Sequence, residues 1–174
     1  MIVQRAIDRI GVPWRNGLGV QYEIICDGFL PDDWTWRLST ADITQDVPFS
    51  SFSGVTREFC VADGNGVVLN INGVDHRCEP GSITTFRGDD AVFAALIDGP
   101  MRALNLMVRD GSTSRSLRLG TAGQEIGDCL VVVATLAPCV LIVDSEEISL
   151  QILDALIFDS PTMIRVIGGV VATI

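Results

Sequence analysis

The sequence predicts an all-β fold, either a sandwich or a barrel, and three observations support this prediction. Turn-forming residues are dense, with 17 glycines and 7 prolines among 174 residues. Short apolar or alternating runs lie between them, a pattern typical of β-strands separated by turns. Segments that are long enough and free enough of helix breakers to form helices are scarce.

The strands predicted in the first two-thirds of the chain are bounded by Gly, Asn, Asp and Pro residues. Asn72-Gly73 and Asp63-Gly64 are expected to form tight hairpin turns, because these residue types tolerate positive φ. A single helical turn is predicted at Asp42–Asp46, closed by Pro48. The predicted strands are Tyr22–Cys26, Trp34–Thr40, Phe59–Ala62, Val67–Ile71, Ser82–Phe86, Ala91–Ile97 and Ala103–Val108.

The last third of the chain is rich in Val, Ile and Leu. Glu146–Phe158 is long enough for a helix, but the β-branched runs on both sides favour a strand. The tail Met163–Ile174 fits either a last core strand, which is the preferred interpretation, or an exposed edge that pairs two chains into a homodimer. The apolar runs are Leu130–Leu136, Cys139–Val143, Leu150–Phe158 and Met163–Ala172, divided by Pro138, Asp144–Glu147 and Ser160-Pro161.

Composition excludes several classes of function. The formal charge is −10, and all 12 basic residues are arginine. Chemistry that needs a lysine amine, such as a Schiff base, is therefore excluded. The acidic balance argues against nucleic-acid binding, because phosphate contacts need a basic face. The longest nearly uncharged run, Leu130–Val143, is 14 residues long, whereas a membrane-spanning helix needs about 20 apolar residues.

The first ten residues include Arg5, Asp8 and Arg9 and do not resemble a signal peptide, so a cytoplasmic protein is expected. The five cysteines contain no Cys-x-x-Cys pair and are expected to be free thiols. His76 is the single histidine, so neither a structural zinc site nor a metal centre of the usual histidine-rich kind is expected. No cofactor is predicted.

Four polar and aromatic clusters carry the candidate chemistry, at Pro13–Gly19, Trp34–Ser39, Pro48–Arg57 and Gly99–Met107. An arginine that faces into a barrel is costly unless it is paired or binds an anion. Arg15, Arg37 and Arg57 are therefore candidates to bind a carboxylate, for which a guanidinium can form two parallel hydrogen bonds. The alternative is that they pair with core acids such as Glu23 or Asp42.

Strand alternation places Trp36 with Leu38 on one face, and Arg37 with Ser39 on the other. Asn105 and Met107 likewise share a face. Trp14 and Trp36 fit either core aromatics or walls of a ligand pocket.

At these four clusters the chain resembles the HutD/Ves family of small cupin-like proteins. The family's Pro-Trp-Lys-Asn motif corresponds to Pro13–Asn16, with Arg15 in place of Lys. Its Trp-Arg-Leu-Ser motif corresponds to Trp36–Ser39, and its Pro-Phe-Ser motif to Pro48–Ser50. The remaining matches are Glu23-Ile24, Ala41, Phe52, Gly54, Arg57, Phe86–Asp89, Gly99-Pro100, Asn105 and Met107, whereas Leu18, Thr56 and Ala103 depart from the family pattern.

The resemblance implies a cupin-like (RmlC-type) β-barrel, with two half-barrels in one chain as one form of it. Residues 1–174 are expected to form a single domain, with the motifs in 13–109 and a C-terminal β part in 110–174. The resemblance further implies a polar pocket for a small formylated or carboxylated metabolite, and a role linked to histidine utilisation.

These inferences lead to three hypotheses. The first is a metal-free protein, a sensor or regulator, that binds an anionic metabolite. The second is a metal-independent isomerase or hydrolase with Glu23 as base and Arg37 as carboxylate or oxyanion clamp. The third is an interaction protein without a ligand. The ligand-binding residues predicted under the first hypothesis are Trp14, Arg15, Asn16, Glu23, Trp36, Arg37, Ser39, Arg57, Asn105 and Met107.

Overall fold

The computed structural model describes residues 1–28 and 33–174. In this part of the chain a 3-10 helix at Ala6–Asp8 accompanies fifteen β-strands, so the all-β prediction is confirmed. No helix there has the length and apolar character needed to cross a membrane. The strands are β1 (Ile2–Gln4), β2 (Gly11–Pro13), β3 (Val20–Cys26), β4 (Trp36–Ile43), β5 (Val47–Pro48), β6 (Val55–Asp63), β7 (Val67–Ile71), β8 (Val74–Cys78), β9 (Ile83–Arg87), β10 (Val92–Leu96), β11 (Met101–Arg109), β12 (Arg118–Thr121), β13 (Glu125–Val143), β14 (Glu146–Leu150) and β15 (Ala155–Thr173).

The chain forms two compact units. One is Ile10–Arg115, which contains all four motif clusters, and the other combines Met1–Arg9 with Ser116–Ile174. The first nine residues belong with the C-terminal residues because β1 pairs with β15, a long-range pairing that no local pattern indicates. The assignment of 1–174 to a single domain remains a prediction.

The unit Ile10–Arg115 contains two sheets. Six strands form one sheet in the order β2-β3-β4-β11-β6-β9, and four form the other in the order β5-β10-β7-β8. A single buried cluster includes residues of both sheets, among them Phe59 and Val61 of β6 and Leu69 of β7. The face of the six-stranded sheet that carries Phe59 and Val61 is called the inner face below. Because side chains alternate along a strand, Arg57 of β6 lies on this inner face as well.

In the other unit a five-stranded sheet contains β1, β15, β13 and β14 in that order, with β12 also paired to β15. The tail is thus an interior strand of this sheet, as preferred, and not an edge strand, whereas the homodimer remains a prediction. The strand preferred for Glu146–Phe158 is confirmed, but the turn at Gln151–Asp154 divides it between β14 and β15. Pro138 and Ser160-Pro161 do not end strands; they lie within β13 and β15, where the pairing between the two strands shifts register.

Two local predictions in the unit Ile10–Arg115 are wrong. Asp42–Asp46 is not a helical turn, because Asp42 and Ile43 continue β4 and the chain then bends at Gln45 before β5. Asp63-Gly64 does not close a hairpin, because β6 and β7 belong to different sheets. The Asn72-Gly73 hairpin is confirmed between β7 and β8, with φ of 51° and 88° at its two residues.

Candidate functional site

A cavity of about 460 Å³ lies within the unit Ile10–Arg115. Its volume falls in the range of small-molecule sites, and its lining combines aromatic side chains with a few polar groups. Residues of β3, β4, β6 and β11 form one part of the lining, and residues of the β2–β3 and β5–β6 connections form another. The lining residues are Val12, Pro13, Trp14, Arg15, Gln21, Glu23, Cys26, Gly28, Trp34, Arg37, Ser39, Ala41, Ile43, Phe49, Ser50, Phe52, Arg57, Asn105 and Met107.

Strand register places the polar residues in rows across the inner face. Met107 of β11 is opposite Arg37 on β4 and opposite Arg57 on β6. In the next row Asn105 is opposite Ser39 on β4. The charged groups therefore lie at one end of a face whose other end, around Val61, packs into the apolar core.

A β-bulge in β3 brings Cys26 into the cavity. Glu23 is opposite Ser39 and Ile25 opposite Leu38, so Ile24 is the extra residue. In a regular strand, residues 23 and 26 would point to opposite faces. The bulge instead places both on the side of the sheet that lines the cavity.

Arg57 is the most deeply buried charged group of the cavity, with 6% of its surface exposed. Its guanidinium donates hydrogen bonds to the Ser50 carbonyl oxygen at 3.3 Å and to Asn105 Oδ1 at 3.2 Å. The Arg57 Cζ atom lies 5.1 Å from the ring centroid of Phe49 and 5.0 Å from that of Phe86. Its partners are thus neutral acceptors and aromatic rings.

Within residues 1–28 and 33–174 no carboxylate forms an ion pair with Arg57. Glu23 Oε1 accepts a hydrogen bond from the Cys26 thiol, and Asp42 accepts one from the Tyr22 hydroxyl. Among the described residues, therefore, neither Glu23 nor Asp42 neutralises Arg57. Desolvation lowers the pKa of Arg57 to about 10, and repulsion by Arg37 adds to this effect.

Arg37 and Arg15 complete the positive charge of the cavity. Arg37 is 9% exposed and donates to Gln21 Oε1 at 3.0 Å, and to Met107 Sδ at 3.7 Å. Arg15 is exposed in the β2–β3 connection, with its Cζ atom 4.6 Å from the centroid of the Phe52 ring. The Cζ atoms of Arg37 and Arg57 lie 6.0 and 5.9 Å from the same centroid. Three guanidinium groups therefore surround one aromatic ring.

Most of the residues proposed from sequence lie at this cavity. Those among its lining are Trp14, Arg15, Glu23, Arg37, Ser39, Arg57, Asn105 and Met107.

Two of the proposed residues do not line the cavity. Trp36 lies on the opposite face of β4 from Arg37, with its ring 4.4 Å from Arg115 Cζ, so the alternation itself excludes it as a wall. The Asn16 side chain instead accepts a hydrogen bond from Leu18 N within its own loop at 3.1 Å, and it links this loop to β5 by donating to the Pro48 carbonyl oxygen at 3.0 Å.

Other lining residues were missed by sequence reasoning. Trp34 precedes the first residue of β4, so the alternation of that strand does not predict its direction. Cys26 depends on the bulge at Ile24, which nothing in the sequence marks. Phe49 and Phe52 belong to the cluster Pro48–Arg57, of which Arg57 alone is predicted to bind the ligand. Gln21, two residues before Glu23, could have been found from the period-2 pattern of β3.

Many cupins hold a metal through two or three His residues and a Glu, and the donors at this cavity do not fit such a centre. Glu23 is the one carboxylate among the described lining residues, whereas two buried guanidinium groups face the same space. His76 lies on β8 and lines a separate pocket, together with Arg87. The prediction that the protein binds no metal remains a prediction.

The five cysteines are free thiols, as expected. Desolvation raises the pKa of Cys60 to about 12 and that of Cys139 to about 11. These two thiols therefore behave as small apolar groups of the core.

Comparisons with known proteins identify several curated relatives. An uncharacterised 21.2 kDa protein from the hutC 3′ region of Pseudomonas putida is 38% identical over 105 residues, covering 59% of this chain and 55% of that protein. Protein Ves of Citrobacter koseri is 36% identical over 108 residues, covering 61% of this chain and 56% of Ves. These matches thus extend over little more than half the length of the curated relatives.

Among solved structures, HutD from Pseudomonas fluorescens SBW25 has a TM-score of 0.84 and 32% identity, covering 99% of this chain and 96% of that one. A cupin 2 conserved barrel domain protein from Leptotrichia buccalis has a TM-score of 0.57 at 10% identity, covering 89% and 86%. Such a likeness establishes the fold alone, and it confirms the cupin-like prediction. The HutD family model matches residues 7–170, and the chain belongs to the HutD family.

Proposed function

We propose that this protein binds a small anionic metabolite in the cavity on the inner face. Arg57 is the principal residue that binds the carboxylate of this metabolite. The single observation that carries the proposal is the burial of Arg57 without a carboxylate partner among the described residues. A buried cation of this kind costs free energy unless an anion compensates it. A bound carboxylate would provide the compensation and could accept two parallel hydrogen bonds.

The lining supports a ligand with polar ends and a short apolar body. Arg37 and Asn105 flank Arg57, while Trp14, Phe49 and Phe52 supply aromatic surface. The Asn105 oxygen accepts from Arg57, and a guanidinium can only donate, so the two Nδ2 hydrogens are directed elsewhere. We infer that Asn105 and Ser39 donate to ligand oxygens.

Family membership supports a role linked to histidine utilisation, since the structural relative is named HutD and the P. putida relative is described by the hutC region. The proposed role is that of a cytoplasmic sensor or regulator, and the proposed ligand is a formylated or carboxylated metabolite.

A metal-independent enzyme is the second candidate, because Glu23 and Arg37 line the same cavity. Glu23 would act as general base, and Arg37 would hold a carboxylate or an oxyanion. Turnover that is lost in Glu23→Gln while binding is retained would favour the enzyme. Binding without turnover of any bound compound would favour the sensor.

The proposal is tested by isothermal titration with N-formyl-L-glutamate, formiminoglutamate, glutarate and the neutral analogue glutaramide. At least one of the acids is expected to bind, glutaramide is not, and Arg57→Gln is expected to lose the binding. Arg102→Gln is the matched control, because Arg102 forms an ion pair with Asp63 at 2.6 Å and does not line the cavity. Absence of binding by every acid, or unchanged binding by Arg57→Gln, would contradict the proposal.

A further inference from the structure

Trp34 lines the cavity although it lies outside the regular strands. Its side chain is 4% exposed and packs with Met107 and Val55, next to the row that holds the two buried arginines. The Trp34 ring centroid is 5.5 Å from Arg37 Cζ and 4.8 Å from Arg109 Cζ. The indole thus lies near two guanidinium groups, one of which belongs to the cavity.

The backbone around Trp34 is held by several hydrogen bonds. Arg109 Nε donates to the Trp34 carbonyl oxygen at 2.8 Å. The Asp27 carboxylate accepts from the amides of Thr35 at 2.7 Å and Trp36 at 3.1 Å, and also from the Thr35 hydroxyl. The position of the indole is therefore set by the backbone and does not depend on a bond from its own nitrogen.

The indole nitrogen of Trp34 is an unsatisfied donor among the described residues. Trp34 Nε1 is buried and makes no hydrogen bond within the described part of the chain. An indole N–H can only donate, and buried donors in native proteins are nearly always paired. Among the lining residues Arg57 Nε is also a buried donor without a hydrogen bond.

Acceptors near these donors are already engaged. Gln21 Oε1 accepts from Arg37, and Asn105 Oδ1 and the Ser50 carbonyl oxygen accept from Arg57. Residues 1–28 and 33–174 therefore supply donors near Met107 and no acceptor for Trp34 Nε1. A ligand that lies across Met107 would supply the missing acceptor.

We propose that Trp34 is a ligand-binding residue, whose indole N–H donates a hydrogen bond to an oxygen of the bound anion other than the carboxylate held by Arg57. This inference rests on the proposed function and narrows its ligand class to anions that carry a second acceptor oxygen, such as a carbonyl or a further carboxylate. Trp34 is then a specificity-determining residue, since an anion without that oxygen leaves the indole donor buried and unpaired.

The test is NMR spectroscopy of the indole N–H groups during titration with N-formyl-L-glutamate. The chain has three tryptophans, so three indole cross-peaks are expected. Trp34→Phe keeps an aromatic ring, removes the donor and assigns one peak. If that variant does not fold, Trp14→Phe and Trp36→Phe assign the Trp34 peak by elimination. The Trp34 proton is expected to move downfield on binding, as it does when an indole N–H acquires an oxygen acceptor.

Affinities give a second readout. Trp34→Phe is expected to weaken N-formyl-L-glutamate binding about tenfold more than it weakens formate binding, because formate has no oxygen beyond its single carboxylate. Trp36→Phe is the matched control, as Trp36 does not line the cavity, and it should change neither affinity.

One result would overturn this inference and leave the proposed function intact. In it, Arg57→Gln loses the binding of N-formyl-L-glutamate, but the Trp34 indole peak of the wild type does not move during the titration. Equal weakening of both anions by Trp34→Phe would also overturn it, since the ring would then act through packing alone. Absence of binding by every acid would remove both proposals.

Discussion

Arg37 and Arg57 lie in one cross-strand row, each directly opposite Met107 of β11. Two strand spacings separate their backbones, which is about 10 Å. Repulsion between the two guanidinium groups adds to the desolvation that lowers the pKa of Arg57. Arg57 thus lies beside a second buried cation and a neutral methionine and forms no ion pair among the described residues, which supports the proposed anion site.

Asn105→Asp tests whether the charge of Arg57 is available. The variant places a carboxylate where Asn105 Oδ1 now lies, 3.2 Å from the Arg57 guanidinium. This internal partner would compete with any anionic ligand, so affinity is expected to fall at least tenfold, or about 1.4 kcal/mol. Titration of the variant measures the loss. Asn105→Ala removes the hydrogen bond without adding charge and should weaken binding less; equal losses would argue that charge is unimportant at this position.

Gly88→Ala is expected to displace Phe52, which lines the cavity, and to destabilise the fold. A Cβ atom at Gly88 would lie 2.2 Å from the backbone carbonyl oxygen of Phe52, whose ring forms part of the cavity wall. Backbone must shift to relieve this overlap, at a cost of about 1–3 kcal/mol, and ligand binding should weaken as well. Urea unfolding and titration report the two effects. Gly127→Ala is the control, since nothing lies within 4 Å of its added Cβ. Similar stability for the two variants would contradict this prediction.

Asp154 links acid stability to the N-terminal segment. Desolvation opposes its ionisation, but hydrogen bonds from the Ala6 amide at 2.8 Å, from Arg5 at 2.7 Å and from the Gln151 amide at 3.0 Å outweigh it and lower its pKa. A carboxylate with a lowered folded-state pKa stabilises the fold above its unfolded pKa of about 4, and this contribution is lost as the pH falls through the folded-state value.

Asp154→Asn is therefore expected to reduce the free energy of unfolding at pH 7 by about 1–3 kcal/mol, and to flatten its decline in acid. Urea unfolding between pH 7 and pH 2 measures both quantities. Asp159→Asn is the control, because Asp159 is 89% exposed and pairs with the N-terminal amine at 3.3 Å, a surface pair of little value. Parallel pH curves for wild type and Asp154→Asn would refute the assignment.

Local pattern was sufficient for the all-β class and for placing Arg37 and Ser39 on one face of their strand, opposite to Trp36 and Leu38, because period-2 alternation is a property of short segments. It could not supply the bulge at Ile24, which brings Cys26 into the cavity, since a bulge depends on how two strands pair. Trp36 is predicted to bind the ligand because it belongs to the motif Trp36–Ser39. Strand alternation, however, directs its side chain to the face of β4 opposite to that of Arg37.

The pairing of β1 with β15 joins residues about 150 apart, and no local signal marks it. Pro138 and Pro161 were expected to divide strands, because proline lacks a donor. They are instead accommodated inside β13 and β15, where the pairing shifts register. The pairing of β1 and the extent of β13 and β15 therefore depend on contacts between distant segments, which a local sequence pattern does not predict.

The thermal unfolding of Arg57→Met tests the central claim most directly. Methionine can maintain packing against Phe49 and Phe86 while removing the buried charge. The account predicts that the ligand-free variant melts about 2–4 °C above the wild type, equivalent to about 1 kcal/mol, and that the acids which raise the melting temperature of the wild type no longer do so. A variant that melts below the wild type and is still stabilised by those acids would contradict it.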